Sequence, residues 1–253
     1  LNPLQKAMED FPDCAACQPK VLAYKDPERF EYAGASGGFI DALGYPFCRG
    51  RLFDSCEIDH AQYQSPIRIA WATGCALLVR RKAYLEAGGL DPSFFAHMEE
   101  IDLCWRLQAQ GHWLAVIPQS TVYHVGGGTL DQLNPRKTYL NFRNNLLLLA
   151  KNLPGLKLLP ILLMRMILDG VAALKMLFGP KGMAQFLAVF KAHIHFYLRI
   201  PQVLRERKKI KKKTDAPLSR VYLVWQYFAK KQSKFSELGL QDSPLKSTSK
   251  SKK

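Results

Sequence analysis

The chain has 253 residues, 48% of them hydrophobic and 23% charged, with a formal net charge of +15. That length limits it to one large domain or a domain with an appendage, and the apolar content allows a sizeable core. The opening Leu1-Asn2-Pro3-Leu4 is neither a start nor a secretion signal, and because the sequence begins in mid-pattern we expect a fragment. Charge is unevenly spread, with acids concentrated before about residue 105 and Lys and Arg dominating after residue 200.

In chain order, residues 1–20 read as the end of a helix followed by a strand, with 17–24 as the strand proper. Residues 26–66 are rich in Gly, Pro and aromatics. So long a connection is functional or disordered, and the aromatics favour an ordered loop near a site. Its glycines do not follow a strand in a dinucleotide-binding arrangement. Ile67–Ala72 alternates as a strand, Thr73-Gly74 breaks it, and Cys75–Val79 is a short apolar strand. Arg80–Ala87 has helical spacing and stops at Gly88-Gly89. After a turn at Asp91-Pro92, Glu99–Gln110 is a helix with Ile101, Cys104, Trp105 and Leu107 on its apolar side. A strand over 113–117 should stop at Pro118, and a second covers Thr121–His124 before Gly126-Gly127-Gly128. Strands alternating with helices define the fold class as α/β.

Beyond residue 140 the chain changes character. Residues 156–178 are apolar except for Lys157, Arg165, Asp169 and Lys175, which fall on one narrow arc of a helical wheel. A second segment, 182–199, places Gln185, Lys191, His195 and Arg199 on a stripe, with Pro160 and Pro201 fitting helix boundaries or kinks. Neither segment has the uncharged length of a spanning helix. A narrow polar stripe on a broad apolar surface suits a helix lying in a membrane interface, although helices packed on a domain would also show it. The run Arg205–Lys213 contains no aromatic residue, unlike a nucleic-acid groove, so an anionic membrane face is the expected partner and nucleic acid is not. A solvated charge run would look the same. A short amphipathic helix near 217–235 and a disordered Ser/Lys-rich tail complete the chain.

Six cysteines read as reduced thiols: Cys14 and Cys17 have zinc-like spacing but no second close pair. The chemistry concentrates in Phe94-Phe95-Ala96-His97-Met98-Glu99-Glu100-Ile101-Asp102-Leu103-Cys104-Trp105-Arg106. Its three carboxylates open a helix, where the macrodipole favours negative charge, and Asp102 precedes Arg106 by four residues. An ordinary acidic first turn would show the same residues. His124, at a strand end beside the glycine run, is either structural or a ligand for a metal or phosphate.

Taken in order, five blocks resemble family 2 glycosyltransferases: Thr73–Arg81, Gly88–Asp91, Glu99–Arg106, Pro118 with Val122-Tyr123-His124, and Tyr139–Asn145. Within that family the likeness is to bacterial rhamnosyltransferase-like enzymes that build surface polysaccharides, and it covers about residues 1–153. The resemblance implies a GT-A fold and inverting transfer from a nucleotide-activated sugar, with Glu100 as catalytic base and Glu99 in reserve. Where the family has Asp, this sequence has Glu100, one methylene longer. It further implies substrate-binding roles for Thr73, Gly74, Asp102, Arg106, Arg143 and Asn144. His124 matches a histidine that helps hold a divalent cation, Mg or Mn. The family's nucleotide-binding strand and Asp-x-Asp motif should precede Leu1, so the cation is expected only together with that missing motif, and this chain alone should be inactive.

The expected architecture is therefore a partial GT-A domain over 1–153, amphipathic membrane-interface helices over 154–203, and a basic segment with short helix and tail over 204–253. Expected partners are a nucleotide-sugar donor, a glycan or lipid-linked acceptor and an anionic membrane surface, at the cytoplasmic face of the inner membrane. The competing reading is a non-catalytic basic protein that binds membranes or nucleic acid.

Overall fold

The structure, a computed structural model, describes residues 1–126, 133–210, 212–241 and 243–245. It is mixed α/β and divides into two compact units. The first comprises Leu1–Gly89, Leu103–Gly126 and Ala216–Lys253, and the second Leu90–Asp102 and Gly127–Asp215.

Helix α1 (Asn2–Asp10) leads into β1 (Cys14–Ala23), then β2 (Gly38–Ile40), β3 (Pro46–Cys48), β4 (Arg51–Leu52) and β5 (Ser55–Cys56). There follow β6 (Ile67–Ile69), β7 (Leu78–Val79), α2 (Arg81–Glu86), α3 (Glu99–Ala109) and β8 (Trp113–His124). The main sheet of the first unit has the order β6-β8-β1-β7. Its central pair, β1 and β8, is parallel, and both flanking strands are antiparallel. As in other covered parallel strands, β1 is buried over nearly its whole length. Leu4 and Met8 of α1, one turn apart, pack on Cys14 and Cys17 of β1 and on Ala115 and Ile117 of β8.

Sequence expectations for the sheets of this unit need correction. The stretch 26–66 is not one irregular loop: β2 to β5 form a second, antiparallel sheet in sequential order. Strands of two or three residues are too short to show a period-2 pattern, and they are fixed by pairing such as Phe39 opposite Phe47, whose rings stack at 5.7 Å. Nor does Pro118 end its strand. Pairing runs Pro19↔Ile117 and then Lys20↔Thr121, so residues 118–120 bulge out of register and the proline, which has no N–H, needs no partner there.

The second unit carries α4 (Pro135–Asn152), α5 (Gly155–Leu177) and α6 (Gly182–Lys209). Asn134 caps α4 by accepting a hydrogen bond from Arg136 N at 2.9 Å. Of the boundary or kink expected at Pro201, the boundary does not occur: α6 runs through the proline, because residues beyond are anchored. Val203 is buried, and Arg207 donates to Ala150 O at 3.0 Å, capping the end of α4.

In α5 the buried residues are Arg165, Asp169 and Ala173, while Leu156 is 96% and Phe178 89% exposed, with Leu159, Leu163, Ile167, Val171 and Leu174 also outside. Asp169 lies 3.3 Å from Arg165 Nη2 and 3.2 Å from His193 Nε2 of α6. On α6, Met183, Leu187, Phe190, Ile194, Tyr197 and Leu198 are exposed. Among the described residues no helix is long and apolar enough to cross a membrane.

The short helix expected near 217–235 shrinks to a helical stretch over 223–229, the part Trp225–Ala229 being wound as a wide turn, and a separate 3-10 turn follows at Phe235–Leu238. Here aromatic packing overrides helical periodicity: Phe235 lies 5.0 Å from the ring of Phe39, and Tyr227 5.0 Å from that of Phe53. Residues 246–253 of the expected tail, Lys211 of the basic run, and Gly127, Gly128 and Thr129 lie outside the described residues.

Candidate active site

Glu99 and Glu100 begin α3, and the four residues before Glu99 hold an unusual backbone. Phe95, His97 and Met98 have φ of 67°, 68° and 72°, left-handed values that cost an L-residue on the order of 1–2 kcal/mol each. The fold overdetermines this segment through α4. Asn144 Nδ2 donates to the carbonyl oxygens of Phe94, Ala96 and His97 at 2.9, 2.8 and 2.7 Å, and Arg143 Nη2 donates to Phe94 O at 3.0 Å. From α6, Arg199 donates to Ser93 O at 2.8 Å.

Within His97–Glu100, three polar atoms are buried without a hydrogen-bond partner: His97 Nε2, Glu99 Oε2 and Glu100 Oε2. Such atoms are costly and mark places where a polar group is to be received. Burial raises the Glu100 carboxyl to about 7, with the Glu99 carboxylate adding to the effect and backbone hydrogen bonds from Met98, Glu100 and Ile101 opposing it. A carboxyl that loses its proton near neutrality is suited to general-base work. Burial, and secondarily the Lys137 ammonium, lowers the His97 imidazole.

Asp102 points elsewhere. It is fully buried, with Oδ2 accepting from Lys151 Nζ at 2.8 Å and Oδ1 from Asn152 Nδ2 at 2.8 Å. Lys151 also reaches Asp91 at 2.6 Å; burial pushes that carboxyl up, but the lysine and Ser93 N–H outweigh it and hold it low. Asp102 thus ties the start of α3 to the end of α4, a position that leaves no oxygen for substrate.

In the first unit Arg106 donates to the carbonyls of Ala87 and, at 2.7 Å, Gly89, closing the end of α2. Both it and Thr73 are buried. Thr73 N donates to Gln18 Oε1 at 2.9 Å, and Gln18 Nε2 donates to Gly34 O at 3.2 Å, bridging two turns. At Gly34, with φ +110°, a Cβ would lie 2.6 Å from Thr73, so the two turns fit only with glycine there. Gly74 is exposed at the adjoining turn.

His124 closes β8 at the carboxyl end of the parallel pair, opposite Ala23, and its Nδ1 lies 3.3 Å from Glu31 Oε2. Glu31 is buried and also accepts from Ala33 N. Glu31 escaped sequence reading because nothing marks it locally; a bridge between Leu22 and Phe30 folds its segment back onto β1. An imidazole and a carboxylate make two donors. Among the described residues no group of three His, Cys, Asp or Glu could hold a metal ion. These residues do not fit a complete cation site by themselves.

No family model matches the chain. A distant relationship to a sugar transferase is nevertheless clear. Over 132 residues the chain is 31% identical to the N-acetylglucosaminyl-diphospho-decaprenol L-rhamnosyltransferase of Mycobacterium tuberculosis, found in two strains. The match covers 49% of this chain and 41% of that enzyme, so the chain spans less than half the length of the relative.

Proposed function

We propose that the protein acts in inverting transfer of a sugar from a nucleotide-activated donor to a glycan or lipid-linked acceptor, within a GT-A type domain, with Glu100 as the base. The observation that carries this is the Glu100 carboxyl, one oxygen of which is buried without a hydrogen-bond partner, poised near neutral pH directly after a strained segment. In the step proposed, the Glu100 carboxylate takes the proton of the acceptor hydroxyl as that oxygen bonds to the anomeric carbon. The bond to the donor's diphosphate breaks, and its electron pair leaves on the diphosphate oxygen. Divalent-cation chemistry belongs to the proposal only with acidic ligands beyond Glu31 and His124. Replacing Glu100 with Gln in the full-length protein is expected to lower transfer at least about 100-fold while the fold persists. Unimpaired turnover would remove Glu100 from the reaction.

The α5–α6 hairpin is the membrane seat in this reading, at the cytoplasmic face of the inner membrane. Many of its large apolar side chains are outside while Arg165 and Asp169 are buried, and its lysines Lys157, Lys175 and Lys191 are exposed beside the apolar surface. Exposed Arg205 and Lys208 lie beyond the apolar segment on the same helix. Co-sedimentation with anionic and neutral vesicles tests this; equal binding to both would leave the basic segment without that role, and binding to neither would remove the membrane.

A further inference from the structure

We infer that Asn144 is a positioning residue, its side-chain amide fixing the backbone of Phe94–His97 and thereby setting where the carboxyl groups of Glu99 and Glu100 stand. The inference rests on the reading of Glu100 as the base.

The amide's orientation is determined by its neighbours. Arg143 Nε and Nη2 donate to Asn144 Oδ1 at 2.9 and 2.7 Å, so the oxygen faces the guanidinium and the nitrogen must face the loop. There Nδ2 meets three carbonyl oxygens within 3 Å. Arg143 is itself held, donating to Tyr139 Oη at 3.0 Å, and Tyr139 Oη lies 2.7 Å from His195 Nδ1 of α6. Asn144 is wholly buried, so no water competes for these bonds.

Only a neutral donor suits the position. Aspartate would set a negative charge against three carbonyl dipoles, and alanine would remove the donor shared by the carbonyls of Phe94, Ala96 and His97, leaving that of Phe94 to Arg143 and the Ala96 N–H, beside a backbone that already strains at residues 95, 97 and 98. Once released, that segment relaxes and water reaches the acid pair. The charged group that acts on Glu100 is Glu99, and the Lys137 ammonium of α4 acts on His97; neither substitution removes them.

A carbon-13 titration of glutamate carboxyl groups in the 253-residue chain tests this, with Glu100→Gln identifying the resonance. The wild-type midpoint is expected at about 7. Asn144→Ala should lower it by about one pH unit or more, toward the range of a hydrated carboxyl, and Asn144→Gln, which keeps the donor, should recover part of the difference. A folded Asn144→Ala with the wild-type midpoint overturns the inference. Should that variant not fold, hydrogen exchange of the Asn144 side-chain amide in the wild type decides. Protection on the order of 100-fold over a free amide supports the clamp, and free exchange overturns it. Neither readout uses sugar transfer, so an active Glu100→Gln protein would sink the catalytic reading while leaving this measurement intact.

Discussion

The β1–β8 sheet and the α5–α6 hairpin use the same residues in opposite ways. In the sheet unit Leu114, Ala115 and Val116 are inside, along with Trp105 and Leu107 of the helix before them. In the hairpin Arg165 and Asp169 are inside while leucines, isoleucine and phenylalanine are outside. Periodicity tells which residues share a face; it does not tell which face is turned to the protein. The surroundings decide that, and the exposed apolar face of this helix pair is what the proposed membrane seat rests on.

Core truncation should expose the contrast most strongly. Trp105→Ala in the sheet unit is expected to cost about 3–5 kcal/mol in a denaturant melt, whereas Leu163→Ser in the hairpin should cost no more than about 0.5 kcal/mol. A comparable loss from Leu163→Ser would mean that the exposed face is packed after all. Asp169→Ala comes next: with the buried Arg165, and with it His193, deprived of this carboxylate, about 3 kcal/mol should disappear, measured the same way.

Glu100 is a buried charge with no such ion pair, and its signature is pH dependence. Its folded pKa, about 7, lies above the usual 4.5, so the folded state binds the proton more tightly. Stability is therefore full at low pH and falls as pH rises through that window, by up to about 3 kcal/mol once both states are ionised. Glu100→Gln should be the more stable protein at pH 8 and indistinguishable near pH 4; equal melts at both would refute the raised pKa.

Smaller effects probe the membrane seat. Ile167→Ser with Leu174→Ser should weaken vesicle partition by about 1.5–3 kcal/mol per side chain while sparing the melt. Replacing Arg205 and Lys208 with Gln should cost about 1 kcal/mol each on anionic vesicles, less at high salt, and nothing on neutral ones.

Much of this was legible beforehand, because long elements announce themselves. The helix starting at Glu99, the stop at Gly88-Gly89 and both apolar helices follow from spacing and terminators. What stayed hidden is tertiary. Pro118 reads as a stop until its partner strand supplies a bulge, and Pro201 reads as a boundary or a kink until Arg207 finds the carbonyls of α4. Asn134-Pro135 was an available start signal for α4, an N-cap followed by proline, and would have placed Arg143 and Asn144 on a helix. Within the site the acid pair was visible, but His97 carries no signal beyond proximity. That Asp102 is consumed by Lys151 follows only from packing, since the two are far apart in sequence.

The thiols offer an experimental handle. Cys14, Cys17, Cys48 and Cys104 are buried, and burial pushes Cys14 and Cys56 up to about 11 and Cys17 to about 12, which keeps them protonated and slow to react. Cys75 alone among the six is exposed, and it sits two residues from Thr73. A maleimide fluorophore added to the native protein should therefore attach at one place, and its emission would report on what approaches that turn without any engineered cysteine.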